Sequence, residues 1–108
     1  MTHRKPSAVL GKWRIVETDQ WDADYLDMVE PAYFQFDSNG RGEMVFGVIQ
    51  AALDCKTSPT TVFFTFEGND EMDPISGAGS AEVTDNGMLE GRISFHFGDE
   101  AEFKARRW

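Results

Sequence analysis

Two alternating stretches at opposite ends of the chain constrain its fold more than any other feature. Charged and apolar residues alternate across residues 10–15, near the start, and again across residues 102–108. A period of two is the pattern of a β-strand that buries one face, because successive side chains of a strand point to opposite sides. If the first and last strands pair, the sheet closes on itself, and we expect the chain between them to form one antiparallel meander.

Turn-forming residues divide the rest of the chain into short runs. Asn39-Gly40 and Asn86-Gly87 supply positive φ at low cost and indicate tight hairpins. The runs between the turns predict eight strands, at about residues 9–17, 32–37, 41–50, 51–56, 61–67, 75–84, 88–97 and from 101 onward. We therefore predict an all-β, antiparallel, eight-stranded up-and-down barrel with one short helix between strands 1 and 2. A two-sheet β-sandwich is the alternative.

Residues 18–30 form the helical candidate. Their apolar members recur at the spacing of a helix face: Trp21, Tyr25, Met28 and Val29. Asp19 or Asp22 is suited to cap the start of this helix, and Pro31 ends it. Because so short a helix is unstable alone in water, we expect its aromatic side to lean on an open mouth of the barrel.

The chain has 108 residues, which is the length of one domain. We predict a flexible N-terminal tail over residues 1–7 and a single β-barrel domain over residues 8–108. Cys55 is the only cysteine, so no disulfide can form within the chain. The start shows no signal-peptide pattern and no stretch reaches the length of a membrane span, so we expect a cytoplasmic protein.

The formal net charge of −9 disfavours two classes of partner. Nonspecific nucleic-acid binding and attachment to an anionic membrane both require an excess of Lys and Arg, so we expect neither. Residues 17–30 and 57–91 hold acids without a base, whereas bases concentrate at the two ends of the chain. If the ends pair, one wall of the barrel is basic and the rest is acidic. Such a surface steers a basic partner or drives head-to-tail contact between copies, unless it is ordinary solvated surface.

Two resemblances to known families accompany these patterns. Gly11-x-Trp13 on the first strand, with Arg106 or Arg107 near the end of the last, resembles the calycin pattern of lipocalin-type barrels. That resemblance implies that Trp13 packs at a closed end of the barrel and that the arginine lies across it. Residues 21–27, 66–73 and 95–100 (WDADYLD, FEGNDEMD and FHFGDE) are similar to phrases of an uncharacterised family of small bacterial proteins. This second resemblance implies a bacterial, cytosolic setting and no particular activity.

The inward-facing apolar residues predict either a ligand pocket or a filled core. The candidate ligand-binding residues are aromatic: Trp13, Phe34, Phe36, Phe46, Phe64 and Phe95. We favour the filled core, because small barrels usually pack their interiors with side chains and no inward polar group is evident to orient a ligand. The third run is apolar on both faces, which indicates that its outer face is covered by the helix or by a partner. The candidate interaction surface is accordingly Trp21, Tyr25, Val45 and Ile49.

No motif in the sequence specifies a reaction. Residues 70–73 are acidic but lack the ligand spacing of a calcium loop, and His3 and His96 are not placed to form a zinc site. No phosphate-binding loop, dinucleotide fingerprint or nucleophile elbow is present. We therefore predict no catalytic residue, no metal site and no cofactor.

Three functions remain, in order of preference. The first is a non-enzymatic binding or protein-interaction module, with self-association as a homodimer included, suggested by the double-sided third run and the charge asymmetry. The alternative is a carrier of a small apolar ligand inside the barrel. The third is an enzyme that uses His96 with a nearby carboxylate such as Glu90.

Overall fold

The computed structural model describes residues 7–96 and 98–108 and forms one closed antiparallel barrel. Its strands follow one another around the barrel in chain order, and the last pairs with the first. They are β1 (Gly11–Thr18), β2 (Tyr33–Phe36), β3 (Arg41–Phe46), β4 (Ile49–Thr57), β5 (Thr61–Asp70), β6 (Asp73–Val83), β7 (Leu89–Phe95) and β8 (Glu100–Arg107). One short helix, α1 (Ala23–Leu26), lies between β1 and β2. The predicted all-β up-and-down barrel is confirmed, and the two-sheet sandwich is wrong.

The pairing of the two chain ends closes the barrel. Trp13 lies opposite Arg107 and Ile15 lies opposite Ala105 in the antiparallel β1–β8 pair. The register shifts between Ile15 and Glu17, which marks a bulge in β1. Of the predicted tail, residues 1–6 lie outside the described residues, and Ser7 donates a hydrogen bond to the carbonyl oxygen of Ser58.

The connections alternate between two ends of the barrel. One end, which we call the closed end, carries the β2–β3, β4–β5 and β6–β7 turns together with residues 8–10. The other end, which we call the mouth, carries the β3–β4, β5–β6 and β7–β8 turns and the segment that contains α1. The two ends are sealed by different side chains, Trp13 at the closed end and Trp21 at the mouth.

The predicted strand over residues 41–50 is wrong, because the chain turns in its middle. β3 ends at Phe46, Gly47 and Val48 form a two-residue turn, and β4 begins at Ile49. Gly47 has a φ of 56°, and a Cβ on it would lie 2.4 Å from the ring of Tyr25. Only glycine fits both constraints. The Gly-Val pair lacks the Asn-Gly signature of the other hairpins, so the sequence pattern alone concealed this turn.

The helix is much shorter than the predicted span of residues 18–30. Asp22 caps it as expected, because its Oδ1 accepts a hydrogen bond of 3.0 Å from the backbone N–H of Tyr25. Beyond Leu26 the chain leaves the helix, and Oδ1 of Asp27 accepts a hydrogen bond of 3.0 Å from the backbone N–H of Ala32. The Asp27 side chain therefore holds the exit toward β2, so that helical hydrogen bonds do not continue to Pro31.

The inward faces of the strands supply the core. The buried residues include those predicted to point inward on six strands: Trp13, Phe34, Phe36, Met44, Phe46, Phe64, Phe66, Leu89, Ile93, Phe95 and Phe103. Two inward glycines of β6 make room for large neighbours. A Cβ on Gly77 would come within 2.6 Å of the Phe66 ring, and one on Gly79 within 2.5 Å of the Phe64 ring. The phenyl rings thus lie directly on the β6 backbone.

Candidate functional site

Aromatic rings from different sides of the barrel meet inside it. The ring centroid of Phe34, on β2, is 4.6 Å from that of Phe103 on β8 and 5.6 Å from that of Phe64 on β5. Phe36 lies 6.0 Å from Phe64. These are contact distances for aromatic pairs. Three of the candidate ligand-binding residues therefore occupy the space that an internal ligand would need.

The closed end is sealed by Trp13. Its side chain is 0 % exposed, and its Nε1 donates a hydrogen bond of 2.9 Å to the carbonyl oxygen of Val9. The guanidinium carbon of Arg107 lies 3.9 Å from the centre of the indole ring. The same guanidinium donates hydrogen bonds of 2.6 Å and 2.7 Å to the carbonyl oxygens of Leu10 and Ala8. Arg107, rather than Arg106, thus lies across the tryptophan.

The mouth is covered by Trp21, which precedes α1. Its ring centroid is 5.1 Å from that of Phe46 and 6.0 Å from that of Phe95. Tyr25 stacks on the outer side of Trp21 with centroids 6.1 Å apart. A reciprocal pair of hydrogen bonds with Thr18, each 2.9 Å, fixes the backbone of Trp21. The aromatic side of the segment leans on the mouth as predicted, and it covers the candidate ligand residues Phe46 and Phe95.

The four residues of the predicted interaction surface are used inside the same chain. Trp21 and Tyr25 are half-buried against the mouth, whereas Val45 and Ile49 are only 5 % and 3 % exposed. The outward direction predicted for Ile49 is wrong, because the turn at residues 47–48 returns Ile49 to the inner face of β4. Val45 lies opposite Tyr33, which is also buried. These residues do not form an exposed apolar surface.

The exposed large apolar side chains lie elsewhere: Val16, Met28, Val29, Phe63, Met72 and Trp108. Phe63 points outward from β5 and is 64 % exposed, although the outward neighbours on its strand are Thr61 and Thr65. Its cross-strand neighbours are Ser80 on β6 and Lys56 on β4, and neither side chain covers the phenyl ring. An exposed phenyl ring at this position has no structural role in the core.

Phe63 forms one wall of an open groove of about 620 Å³ on the outer face of the barrel. We call this the Phe63 groove and define it by its principal side chains, Phe63, Ser80, Glu82, Glu90, Arg92 and Lys104. Successive strands contribute these side chains in two parallel rows, since Phe63, Ser80 and Arg92 face one another in register. Glu82, Glu90 and Lys104 form the adjacent row.

The residues that line the Phe63 groove include more acids than bases: Glu17, Asp19, Glu82, Glu90 and Glu102 against Arg92 and Lys104. Arg92 forms an ion pair of 3.0 Å with Glu102, and Lys104 lies 3.8 Å from a carboxylate oxygen of Glu17. Glu82 and Glu90 lie directly opposite each other on β6 and β7. Like charges at opposed positions destabilise a strand pair. Within the described residues, no base forms an ion pair with either of these two carboxylates.

A second surface feature has the opposite charge. Arg14 and Arg106 lie directly opposite each other on β1 and β8. Lys12 extends between two aromatic rings, with Nζ 4.2 Å from the ring centre of Tyr33 and 4.3 Å from that of Trp108. Trp108 itself is 51 % exposed. We call Lys12, Arg14, Arg106 and Trp108 the basic–aromatic patch.

His96 lies at the rim of another open groove, of about 640 Å³, on the outer faces of β4 to β7. Its side chain is exposed, and its imidazole makes no hydrogen bond with another residue that the structure describes. A general base requires a positioned partner for proton transfer. The contacts of His96 therefore supply none of the groups that hold a catalytic imidazole in one orientation.

Four titratable groups among the described residues have a raised pKa: Tyr25, Tyr33, Cys55 and Arg92. Burial and the hydrogen bond to Glu43 raise the pKa of Tyr33, and the hydrogen bond to Glu102 raises the pKa of Arg92. Burial, with a smaller contribution from Asp54, raises the pKa of the Cys55 thiol to about 11. Burial and the nearby Asp70 raise the pKa of the Tyr25 phenol at the mouth. The pKa shifts of Cys55 and Tyr25 favour the neutral side chain, so neither of these two groups is activated as a nucleophile at neutral pH.

Residues 7–96 and 98–108 contain neither a cluster of metal ligands nor a helix that could span a membrane. Within these ranges no three His, Cys, Asp or Glu side chains converge to hold a metal ion. None of the helical structure in the same ranges is long and apolar enough to cross a membrane.

The sequence carried a signal for Phe63 that the pattern analysis did not use. Phe63 lies between Thr61 and Thr65 among the outward-facing residues of β5. The alternation of polar and apolar residues therefore indicates that this aromatic side chain points outward. No comparable signal existed for the opposed pairs Glu82–Glu90 and Arg14–Arg106. Their partners are separated by 8 and by 92 positions, and only the strand register places them face to face.

Comparison with protein-family models, with curated proteins and with solved structures found no match to this chain.

Proposed function

We propose that this protein is a non-enzymatic protein-interaction module that binds through the Phe63 groove. The observation that carries the proposal is the 64 % exposure of Phe63 on the wall of an open groove. Transferring a phenyl side chain from water into a packed interface stabilises an interaction by about 1.5–3 kcal/mol. Aromatic anchors of this kind dominate the energetics of protein interfaces.

The packing of the interior favours this function over the carrier of an apolar ligand. A carrier would need to open a space around rings such as Phe34, whose centroid is 4.6 Å from that of Phe103 and 5.6 Å from that of Phe64. Separating them would expose or leave unpacked a large part of the core, at a cost of several kcal/mol. A surface groove binds a partner without that cost.

The exposed position of His96 makes an enzyme the least favoured of the three candidate functions. Its groove contains outward hydroxyl and carboxylate side chains, among them Ser94 and Glu67. No hydrogen bond joins the imidazole to a described nucleophile or carboxylate, so the geometry offers no acid–base pair.

We also propose that the chain is a distant structural counterpart of lipocalin-type barrels that acts in a bacterial cytoplasm. The support for the first part is the Trp13–Arg107 contact at the closed end. The support for the second part is the resemblance of residues 21–27, 66–73 and 95–100 to bacterial phrases, together with the free, buried thiol of Cys55. A reducing compartment matches a chain that has one unpaired cysteine.

Site-specific photocrosslinking tests the proposed function. Phe63 is replaced with p-benzoylphenylalanine, which keeps an aromatic ring at this position, and the protein is irradiated in cells that naturally produce it. Because the side chain is exposed, the substitution leaves the core unchanged. We expect a discrete covalent adduct of defined mass.

The matched control places the same photocrosslinking residue at Met72, which is 94 % exposed at the β5–β6 turn. Exposure alone would give adducts at both positions, whereas a binding groove gives them only at position 63. Equal labelling at the two positions, or no adduct at position 63, contradicts the proposal.

A further inference from the structure

We propose that the partner of the Phe63 groove is the basic–aromatic patch of a second copy of this chain, so that the protein forms a two-fold dimer. This inference rests on the proposed function, since it uses the same groove. It adds the identity of the partner and the second half of the interface. The argument depends on two opposed pairs of like charge, one of each sign, on adjoining parts of the surface.

The acidic pair is incomplete within one copy. Glu82 and Glu90 face each other across β6 and β7. Lys104 lies opposite Glu90 on β8, but its Nζ is 3.8 Å from a carboxylate oxygen of Glu17, and no base among the described residues forms an ion pair with Glu82 or Glu90. Two opposed carboxylates repel each other, and a cation placed over both relieves that repulsion. The groove therefore presents a site for a positively charged group, with the exposed ring of Phe63 beside it as an apolar contact.

The basic pair, Arg14 and Arg106, is only partly neutralised by carboxylates among the described residues of one copy. Arg14 and Arg106 face each other across β1 and β8. Asp27 is 2.8 Å from Nη2 of Arg14, but no carboxylate in the described part of the chain pairs with Arg106. Nη1 of Arg14 is buried and has no hydrogen-bond acceptor in the described residues. The exposed ring of Trp108 lies beside this pair, with the Arg14 guanidinium 5.7 Å from its centre.

The groove and the patch adjoin along β8. Lys104, at the rim of the groove, and Arg106, in the patch, are both outward residues of β8 and are two positions apart. A two-fold rotation about an axis near this point places the acidic half of each copy over the basic half of the other. Both like-charge pairs are then neutralised twice in one dimer, and Phe63 and Trp108 supply apolar contacts at both sites.

The distribution of charge along the whole chain favours a second copy over an unrelated basic protein. All 19 acids lie between residues 17 and 102, and five of the ten bases lie on β1 and β8. The chain therefore carries both complementary surfaces itself. The net charge of −9 opposes association at long range, but salt screens it beyond about 8 Å at physiological ionic strength. Contacts between opposed pairs within the interface persist at that salt concentration.

Charge exchange between two variants tests the dimer. The groove-reversed variant carries Glu82→Lys and Glu90→Lys, and the patch-reversed variant carries Lys12→Glu and Arg106→Glu. We expect the unmodified protein to be a dimer at micromolar concentration, by sedimentation velocity and native mass spectrometry at physiological ionic strength. Each variant alone then dimerises at least about tenfold more weakly, because like charges meet in its interface. An equimolar mixture of the two variants restores dimers that contain one chain of each.

A third variant, Asp54→Lys with Glu67→Lys, controls for the number of reversed charges. Both residues are exposed and point outward on β4 and β5, outside the Phe63 groove. This control is expected to dimerise like the unmodified protein. Circular dichroism confirms that all variants are folded, which is expected because every substituted side chain lies on the surface.

The outcomes separate this inference from the proposed function. A monomeric unmodified protein, or a variant mixture that stays monomeric, overturns the dimer. If the crosslink at position 63 then yields an adduct of another mass, the groove binds a different protein and the proposed function stands. If position 63 yields no adduct and the protein is monomeric, both proposals fail.

Discussion

The two ends of the barrel are closed by tryptophans that have very different surroundings. At the closed end, Trp13 is fully buried and is held by the carbonyl of Val9 and by the Arg107 guanidinium. At the mouth, Trp21 is only half-buried, and its contacts are ring contacts with Phe46 and Phe95. The Trp13 contacts join residues from both ends of the chain. The Trp21 contacts are made by one local segment, which packs on the mouth of the barrel. The closed end therefore belongs to the cooperative core, whereas the segment from Thr18 to Leu26 that covers the mouth, which we call the mouth cover, is a separable element.

The substitution Trp13→Ala should have the largest effect on stability. It removes a completely buried indole, its hydrogen bond to Val9 and the surface on which Arg107 lies. We expect the free energy of unfolding to fall by about 3–5 kcal/mol, the range for large-to-small changes of buried aromatic residues. Urea denaturation followed by circular dichroism measures this value. A loss below about half a kcal/mol, which is typical of surface positions, would contradict the assigned role.

The substitution Arg107→Lys should have the next largest effect. Lysine keeps the positive charge but cannot donate to the carbonyls of Ala8 and Leu10 at once while lying flat on an indole. We expect a loss of about 2 kcal/mol in the free energy of unfolding, the typical value of hydrogen bonds from a charged group. The matched control is Arg106→Lys on the neighbouring position, which should change stability by less than about half a kcal/mol. Equal losses for the two variants would show that charge, not the guanidinium geometry, matters at this end.

At the mouth, Trp21→Ala should cost less than either substitution at the closed end. It removes three ring contacts of a half-buried side chain, with Phe46, Phe95 and Tyr25. At about 0.5 kcal/mol each, the low end of the range for aromatic pairs, we expect a loss of about 1.5 kcal/mol. Native-state hydrogen exchange should show faster exchange at the amide of Gly47, which donates to the Leu26 carbonyl. The amide of Ile15, which donates to the Ala32 carbonyl beside the core, should be unaffected. Accelerated exchange at both amides would mean that the mouth cover is part of the global unfolding unit.

The smallest effect concerns alkaline pH and Cys55. The folded protein raises the pKa of this thiol from 9 to about 11, so folding favours the protonated form. The resulting stability is complete below pH 9 and is lost as the pH rises through 11, because the unfolded chain releases its proton first. In Cys55→Ala, the decline of the unfolding free energy between pH 9 and 11 should be shallower than in the unmodified protein. Tyr25 and Tyr33, whose pKa values are also raised, contribute equally to both proteins, so an unchanged slope would show that the thiol is not the responsible group.

Local patterns were sufficient for most of the barrel, and they failed where one particular side-chain contact decides the backbone conformation. Period-two alternation predicted which residues of β1, β2, β5, β7 and β8 face inward, because a strand can bury only one phase of its side chains. It did not predict the turn at Gly47, whose backbone is shaped around the Tyr25 ring. It also did not predict the early end of α1, where the Asp27 side chain bonds to Ala32.

The candidate site shows the same division. The sequence alone determined an eight-stranded meander, a buried Trp13, and a separation of bases and acids along the chain, because these follow from side-chain period and from composition. The closed structure decided which side chains meet: Arg107 on Trp13, Phe63 over Ser80, Glu82 against Glu90, and Arg14 against Arg106. Such pairs depend on the register between strands, and the core packing and turn geometry of the whole barrel set that register.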